Sequence, residues 1–134
     1  MQATGNEVDR LVIEGLVPFR NRLTAVFRDK HPYLFGMASA ALTGKESKFG
    51  VRVTEGERVA GEYTLHVSGV EITRAEPGKL ESGVQLPYVG TIKPYMVIER
   101  AGLERILGDE AAIMADPIPA VMKHLPEMTL KFLR

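Results

Sequence analysis

The side chains that could do chemistry are few and scattered. His31, His66 and His124 stand far apart, and none has a companion at metal-ligand spacing. His31 and His124 fall at predicted helix ends ahead of prolines, and His66 on the wet face of a predicted strand. His124 would sit in the last turn of its helix, where a partial positive charge suits the dipole. All three read as surface or capping residues. The chain has no cysteine, which excludes disulfides, thiolate nucleophiles and Cys-rich zinc sites. Glu99, Glu104, Asp109 and Glu110 cluster in sequence near a strand end and the following helix, but Glu104 with Arg100 at i,i+4 is a simple surface ion pair. No carboxylate lies inside an apolar run where desolvation would raise its pKa for acid–base work.

Gly44-Lys45-Glu46-Ser47 echoes a phosphate loop. It lacks the earlier glycine at the required spacing, and it leads into a strand rather than a helix. Neither the serine-hydrolase elbow nor the dinucleotide fingerprint occurs, and Ser39 and Ser68 have no base partner visible in sequence. The expectation is a protein that is not an enzyme and carries neither metal nor cofactor. A catalytic alternative would have to assemble His66, Glu62 and the 74–91 segment in one pocket.

The elements that would position these residues follow from period. Residues 7–30 read as helix: Val8, Leu11, Val12, Leu16, Phe19, Leu23, Val26 and Phe27 recur at steps of three and four. Pro18 removes a backbone hydrogen bond and crowds the preceding turn, so a kink or break is expected near Gly15–Val17. His31-Pro32 ends the helix, and 33–42 reads as a short helix or a buried connector. The middle alternates. Phe49, Val51 and Val53, then Tyr63, Leu65 and Val67, then Val70 and Ile72 predict antiparallel strands with one wet face. Residues 78–90 look irregular, and 92–99 forms a further strand whose two-sided apolar run (Tyr95 to Ile98) places it inside the sheet. Leu103, Ile106 and Leu107 return to helix. Asp116-Pro117 offers an N-cap acceptor with proline in the first turn, and Val121, Met122 and Leu125 follow before Pro126. Met128, Leu130 and Phe132 close as a strand. The expected fold is α+β: a curved, mostly antiparallel sheet of about five strands, covered on one face by an N-terminal helix and short C-terminal helices.

The 134 residues fit one domain, 1–134, able to bury roughly 68% of the unfolded surface. Seventeen basic and seventeen acidic side chains cancel, which argues against nucleic acid as a partner. No apolar run approaches the ~20 residues of a membrane span, and the start lacks a signal peptide, so a cytoplasmic protein is expected. Near-zero charge favours self-association, which admits a homo-oligomer. Six methionines suit an adaptable cavity or an irregular core equally well.

The strands 49–54 and 61–69, the strand 95–98, the helix 103–107, the Asp116-Pro117 helix and the final strand 128–132 together resemble the sterol carrier protein type 2 family. That resemblance covers about 85 residues of the C-terminal part, with the N-terminal helix in the matching place. It implies a carrier whose helices cover a five-stranded sheet and enclose an apolar tunnel for a fatty acyl chain or sterol-like ligand. The walls implied are Leu16, Phe19, Leu23 and Phe27 from the N-terminal helix, Leu65, Val67, Met96 and Ile98 from the sheet, and Leu103, Ile106, Val121 and Met122 from the late helices. Arg20, Lys93 or Tyr95 would orient a headgroup. Two departures stand out: family members carry another helix after the last strand, so the mouth here is expected to be open or covered by a partner subunit, and the 76–89 loop is long. The other reading is a protein-interaction or oligomerisation module using the same apolar faces.

Overall fold

The computed structural model describes residues 7–42, 44–86 and 88–134, and its first described residues, 7–10, are helical. Leu11–Leu16 is π-helical, and the Val17 N–H bonds the Val12 carbonyl five residues back. The helix α1 (Val17–Lys30) follows without a break and carries Pro18 in its first turn, where a missing N–H is least costly. The expected kink near Gly15–Val17 is thus a widened turn. Gly15 sits there against Leu107, whose Cδ1 would lie 3.0 Å from any added Cβ. The next helix, α2 (Pro32–Leu42), leaves Tyr33, Leu34 and Met37 exposed. It is a helix as expected, but those side chains do not form a buried connector.

The main sheet contains β1 (Glu46–Glu55), β2 (Arg58–Ser68), β3 (Glu71–Pro77), β6 (Pro94–Glu99) and β7 (Met128–Phe132), in the order β3-β2-β1-β6-β7. Three neighbouring pairs are antiparallel, and β1 pairs with β6 in parallel. Gly56 and Gly69 take the positive φ that the two tight hairpins demand. The segment expected to be irregular instead holds a small hairpin, β4 (Val84–Leu86) and β5 (Gly90–Ile92). Gly83 docks that hairpin by exchanging both backbone hydrogen bonds with Lys48, where β1 is not yet paired with β6. The strand expected over 92–99 is therefore divided. Ile92 ends the hairpin, and Pro94, lacking an N–H for the ladder, suits the start of β6.

The last third forms α3 (Arg100–Gly108), α4 (Glu110–Ala115) and α5 (Pro117–His124), a 3-10 turn at Leu125–Glu127, and then β7. Asp116 occupies the N-cap of α5 but makes no side-chain cap bond, unlike the capping read from sequence. All these helices and the N-terminal one lie on one face of the sheet. Val51, Val53, Tyr63, Leu65 and Ile98 meet Val8, Val12, Phe19, Leu103, Ile106 and Ile113 to make the core. On the opposite face Arg52 pairs with Glu62 at 2.7 Å and lies over the Tyr95 ring at 5.1 Å. Thr64 Oγ1 donates to the Lys79 carbonyl at 2.8 Å and accepts the Glu81 N–H at 3.0 Å, which straps the 79–82 segment across that face. Among the described residues no helix is long and apolar enough to cross a membrane.

Polar side chains fix the N-terminal helix at its margins. Asn21 donates from Nδ2 to the Ile72 carbonyl and accepts the Ile72 N–H on Oδ1, both at 2.9 Å. The Tyr63 hydroxyl donates to Asp9 at 2.6 Å, and burial, followed by this bond, holds its pKa well above the ordinary tyrosine value. Arg22 forks onto Glu110 of α4 at 2.7 and 2.9 Å. Replacing Asn21 by Leu leaves both Ile72 backbone groups unpaired at a half-buried site, and is expected to cost about 1–3 kcal/mol. Urea unfolding of Asn21→Leu against the parent chain measures this. An unchanged midpoint would mean that the pair does not hold the helix.

Candidate functional site

Apolar residues at helical spacing on α1 and at alternate positions on the strands face each other, yet they do not fill the space between them. A cavity of about 390 Å³ remains between α1, the C-terminal helices and the sheet, within the range of small-molecule sites. Leu16, Phe19 and Leu23 line it from the N-terminal helix, and Leu65, Val67, Met96 and Ile98 from the sheet. Leu103, Ile106 and Val121 line it from the late helices. Phe27 and Met122 do not line it. Phe27 lies one turn beyond Leu23 and packs its ring 5.3 Å from that of His31. Met122 follows Val121 on α5, and successive helical residues point about 100° apart, so Val121 faces the cavity and Met122 is 61% exposed.

Several wall residues were not foreseen. Phe49 and Val51 of β1 lie opposite Leu65 and Tyr63 of β2, so their place on the cavity face was available from the same alternation. Ile72, Ile113 and Met128 also contribute. Val84 reaches it from the β4–β5 hairpin, whose strands are too short to show a period. Of the three groups suggested for a polar mouth, only Arg20 lines the cavity. Tyr95 lies on the opposite face beneath Arg52, because its place in β6 alternates with those of Met96 and Ile98. Lys93 sits in a separate polar cleft and donates to the Arg134 carbonyl at 3.1 Å.

His124 also lines the cavity and departs furthest from expectation. It is buried rather than capping a surface helix end. Its Nε2 lies 2.9 Å from Asp109 Oδ2 and its Nδ1 2.9 Å from Glu127 Oε2, so α5 is clamped between the α3–α4 junction and the turn into β7. Lys123 reaches Asp109 at 3.3 Å and Arg105 pairs with Glu127. Hydrogen bonds to Asp109 and then Glu127 raise the His124 pKa above the ordinary histidine value, against the opposing effect of burial. The same bonds hold both carboxyls below their usual range, Asp109 helped next by Lys123 and Glu127 by Arg105.

His66 is half-buried, with Nε2 3.1 Å from Glu76 and 3.0 Å from Arg74 Nη2. Glu62 is engaged by Arg52. His66 and Glu62 therefore have separate partners rather than sharing one pocket. Among the described residues no group of three or more His, Asp or Glu side chains is arranged to hold a metal ion. No protein-family model, curated protein or solved structure matches this chain.

The clamp at His124 fixes a pH dependence. A raised histidine pKa stabilises the fold fully below the unfolded value of about 6.5, and that contribution is lost as pH rises through the folded value. The lowered carboxyls contribute fully above about 4, and their contribution is lost as pH falls through the folded values. Stability is expected to peak in the weakly acidic window between these limits. Urea midpoints measured from pH 4 to 9 should decline on the alkaline side for the parent chain and run flatter there for His124→Gln. Parallel curves would remove His124 from the account.

Proposed function

We propose that this protein is a non-catalytic carrier or sensor, working in the cytoplasm, that holds an apolar lipid-like ligand between its helices and its sheet. The ligand class is a fatty acyl chain or a sterol-like molecule. The observation that carries the reading is the cavity of about 390 Å³, whose wall is built from apolar side chains of α1, the sheet and the C-terminal helices together. The helices-over-sheet layering and the position of the cavity fit the resemblance to sterol carrier protein type 2 domains. Such a site holds the tail of its ligand by burial. Each methylene removed from water contributes about 0.8 kcal/mol, so affinity should rise roughly tenfold for every two methylenes until the space is full.

Calorimetric titration with saturated chains of increasing length tests this. Affinity that climbs and then levels is the expected result. Titrations without heat at both about 10 and about 40 °C for every length would contradict it, because apolar burial carries a heat-capacity change that gives heat at one temperature or the other. Val121→Trp, which projects bulk into the cavity, is expected to weaken the best ligand at least about tenfold. Met122→Trp, on the exposed side of the same turn, should leave binding unchanged, and the paired variants separate loss of space from loss of helix α5.

A second reading has its own support. Leu130 and Phe132 of β7 are 58% and 57% exposed, and Met122 and Leu125 are exposed nearby in sequence. An apolar surface of this kind suits packing against another chain, either a second copy or a different protein. Sedimentation of the purified protein across a hundredfold concentration range distinguishes a monomeric carrier from an associating module.

A further inference from the structure

Two basic side chains line the cavity, and their electrostatic situations differ. His124 is held between Asp109 and Glu127, so any charge it takes up is faced by carboxylates. Arg20 has no carboxylate partner among the described residues. Its Nη1 donates to Thr24 Oγ1 and, at 3.0 Å, to the Val70 carbonyl. No hydrogen bond from Nε or Nη2 occurs among the described residues, although a guanidinium carries five N–H donors in a fixed fork. Arg20 is partly buried, and that desolvation pushes its pKa down, yet a guanidinium stays protonated. An unpaired cation in an apolar wall is costly. The anchoring bonds to Thr24 and Val70 would need only a neutral donor.

The position of Arg20 gives the cavity a direction. Val70, to which it bonds, lies in the turn after β2, and the cavity residues Ser47, Val67 and Gly69 lie at the same end of the sheet, Ser47 pairing with Val67. Ile98 pairs with Val53 near the far end of β1, with Leu103 in the helix that follows β6. Arg20 therefore stands at one end without a carboxylate partner, whereas the polar group toward the other end, His124 just ahead of Met128, is already engaged by Asp109 and Glu127.

Resting on the carrier reading above, we propose that Arg20 is the specificity-determining residue of the cavity: it takes the compact anionic head, carboxylate or phosphate monoester, of a single-chain amphiphile. The free Nε and Nη2 hydrogens form the two-pronged donor that both oxyanions accept. The head lies at the β2–β3 turn, and the tail runs toward Ile98 and Leu103. Neutral sterols and alcohols lack the group that compensates Arg20, so they bind more weakly than their burial alone would allow.

The test uses dodecanoate, dodecyl phosphate and dodecanol at pH 8 with the parent chain and Arg20→Gln, which keeps a neutral donor toward Val70. The parent chain is expected to bind at least one anion roughly tenfold to a hundredfold more tightly than dodecanol. Arg20→Gln should abolish that preference and bind dodecanol more tightly than the parent does, because the uncompensated cation is gone, and a circular dichroism spectrum matching the parent's shows that the variant is folded. Whichever anion wins identifies the head. Equal binding of anions and alcohol by the parent chain, or a preference that survives in Arg20→Gln, overturns the assignment and leaves the carrier reading standing. Failure of all three probes to bind the parent chain overturns both.

Discussion

The reciprocal hydrogen bonds between the Asn21 amide and the Ile72 backbone govern how the helical layer meets the sheet. The amide acts as one residue of an extra strand, satisfying the outer edge of β3 and holding α1 beside it at a fixed height. Tyr63 with Asp9 and Arg22 with Glu110 repeat the effect at other margins. A helix packed only by its apolar stripe would settle until its side chains interdigitate at crystal-like density. A helix fastened at its rim by bonds of fixed length need not. Here Leu16, Phe19 and Leu23 face Phe49, Leu65 and Met96 across an open space, while Val8, Val12, Val53 and Tyr63 pack fully.

The sheet topology serves the same end. β1 lies at its centre, paired with β2 on one side and in parallel with β6 on the other, so the chain must cross from β3 to β6 over the far side. The 79–82 strap and the β4–β5 hairpin make that crossing. Gly50 permits it, because any Cβ there would fall 2.7 Å from Leu80 Cδ1 and 2.8 Å from the Tyr95 Cβ. The far face is thereby closed by backbone and polar contacts, and the unfilled volume lies on the helical side. Charge follows the same division. The Arg52–Glu62 pair lies on the far face, His124 is balanced by its carboxylates, and Arg20 faces the cavity alone.

Much of this was legible in the sequence because period reports burial. The three-and-four spacing of Leu16, Phe19 and Leu23 and the alternation of Leu65 with Val67 placed those residues on the correct face before any coordinates. The layer order and the one-sided helical cover follow from the same signals. Period fails where geometry beyond the element decides. Phe27 continues the stripe of α1 but lies past the cavity. Met122 belongs to the apolar set of α5, yet faces outward because Val121 faces in. The 83–92 hairpin has only three residues per strand, too few to establish an alternation. The burial of His124 depends on Asp109 and Glu127, which become neighbours only when α4 and α5 fold back. Its isolation in sequence made it look like a surface residue.

The central claim is that the space between helices and sheet is a binding site rather than a defect of packing. Native mass spectrometry of the freshly purified protein, with organic extraction of anything bound, tests that claim most directly. The account predicts a population heavier than the apo chain by the mass of a single-chain lipid, released on extraction and restored on adding the extracted compound back. A clean apo mass that stays unchanged after incubation with fatty acids and alkyl phosphates would contradict it.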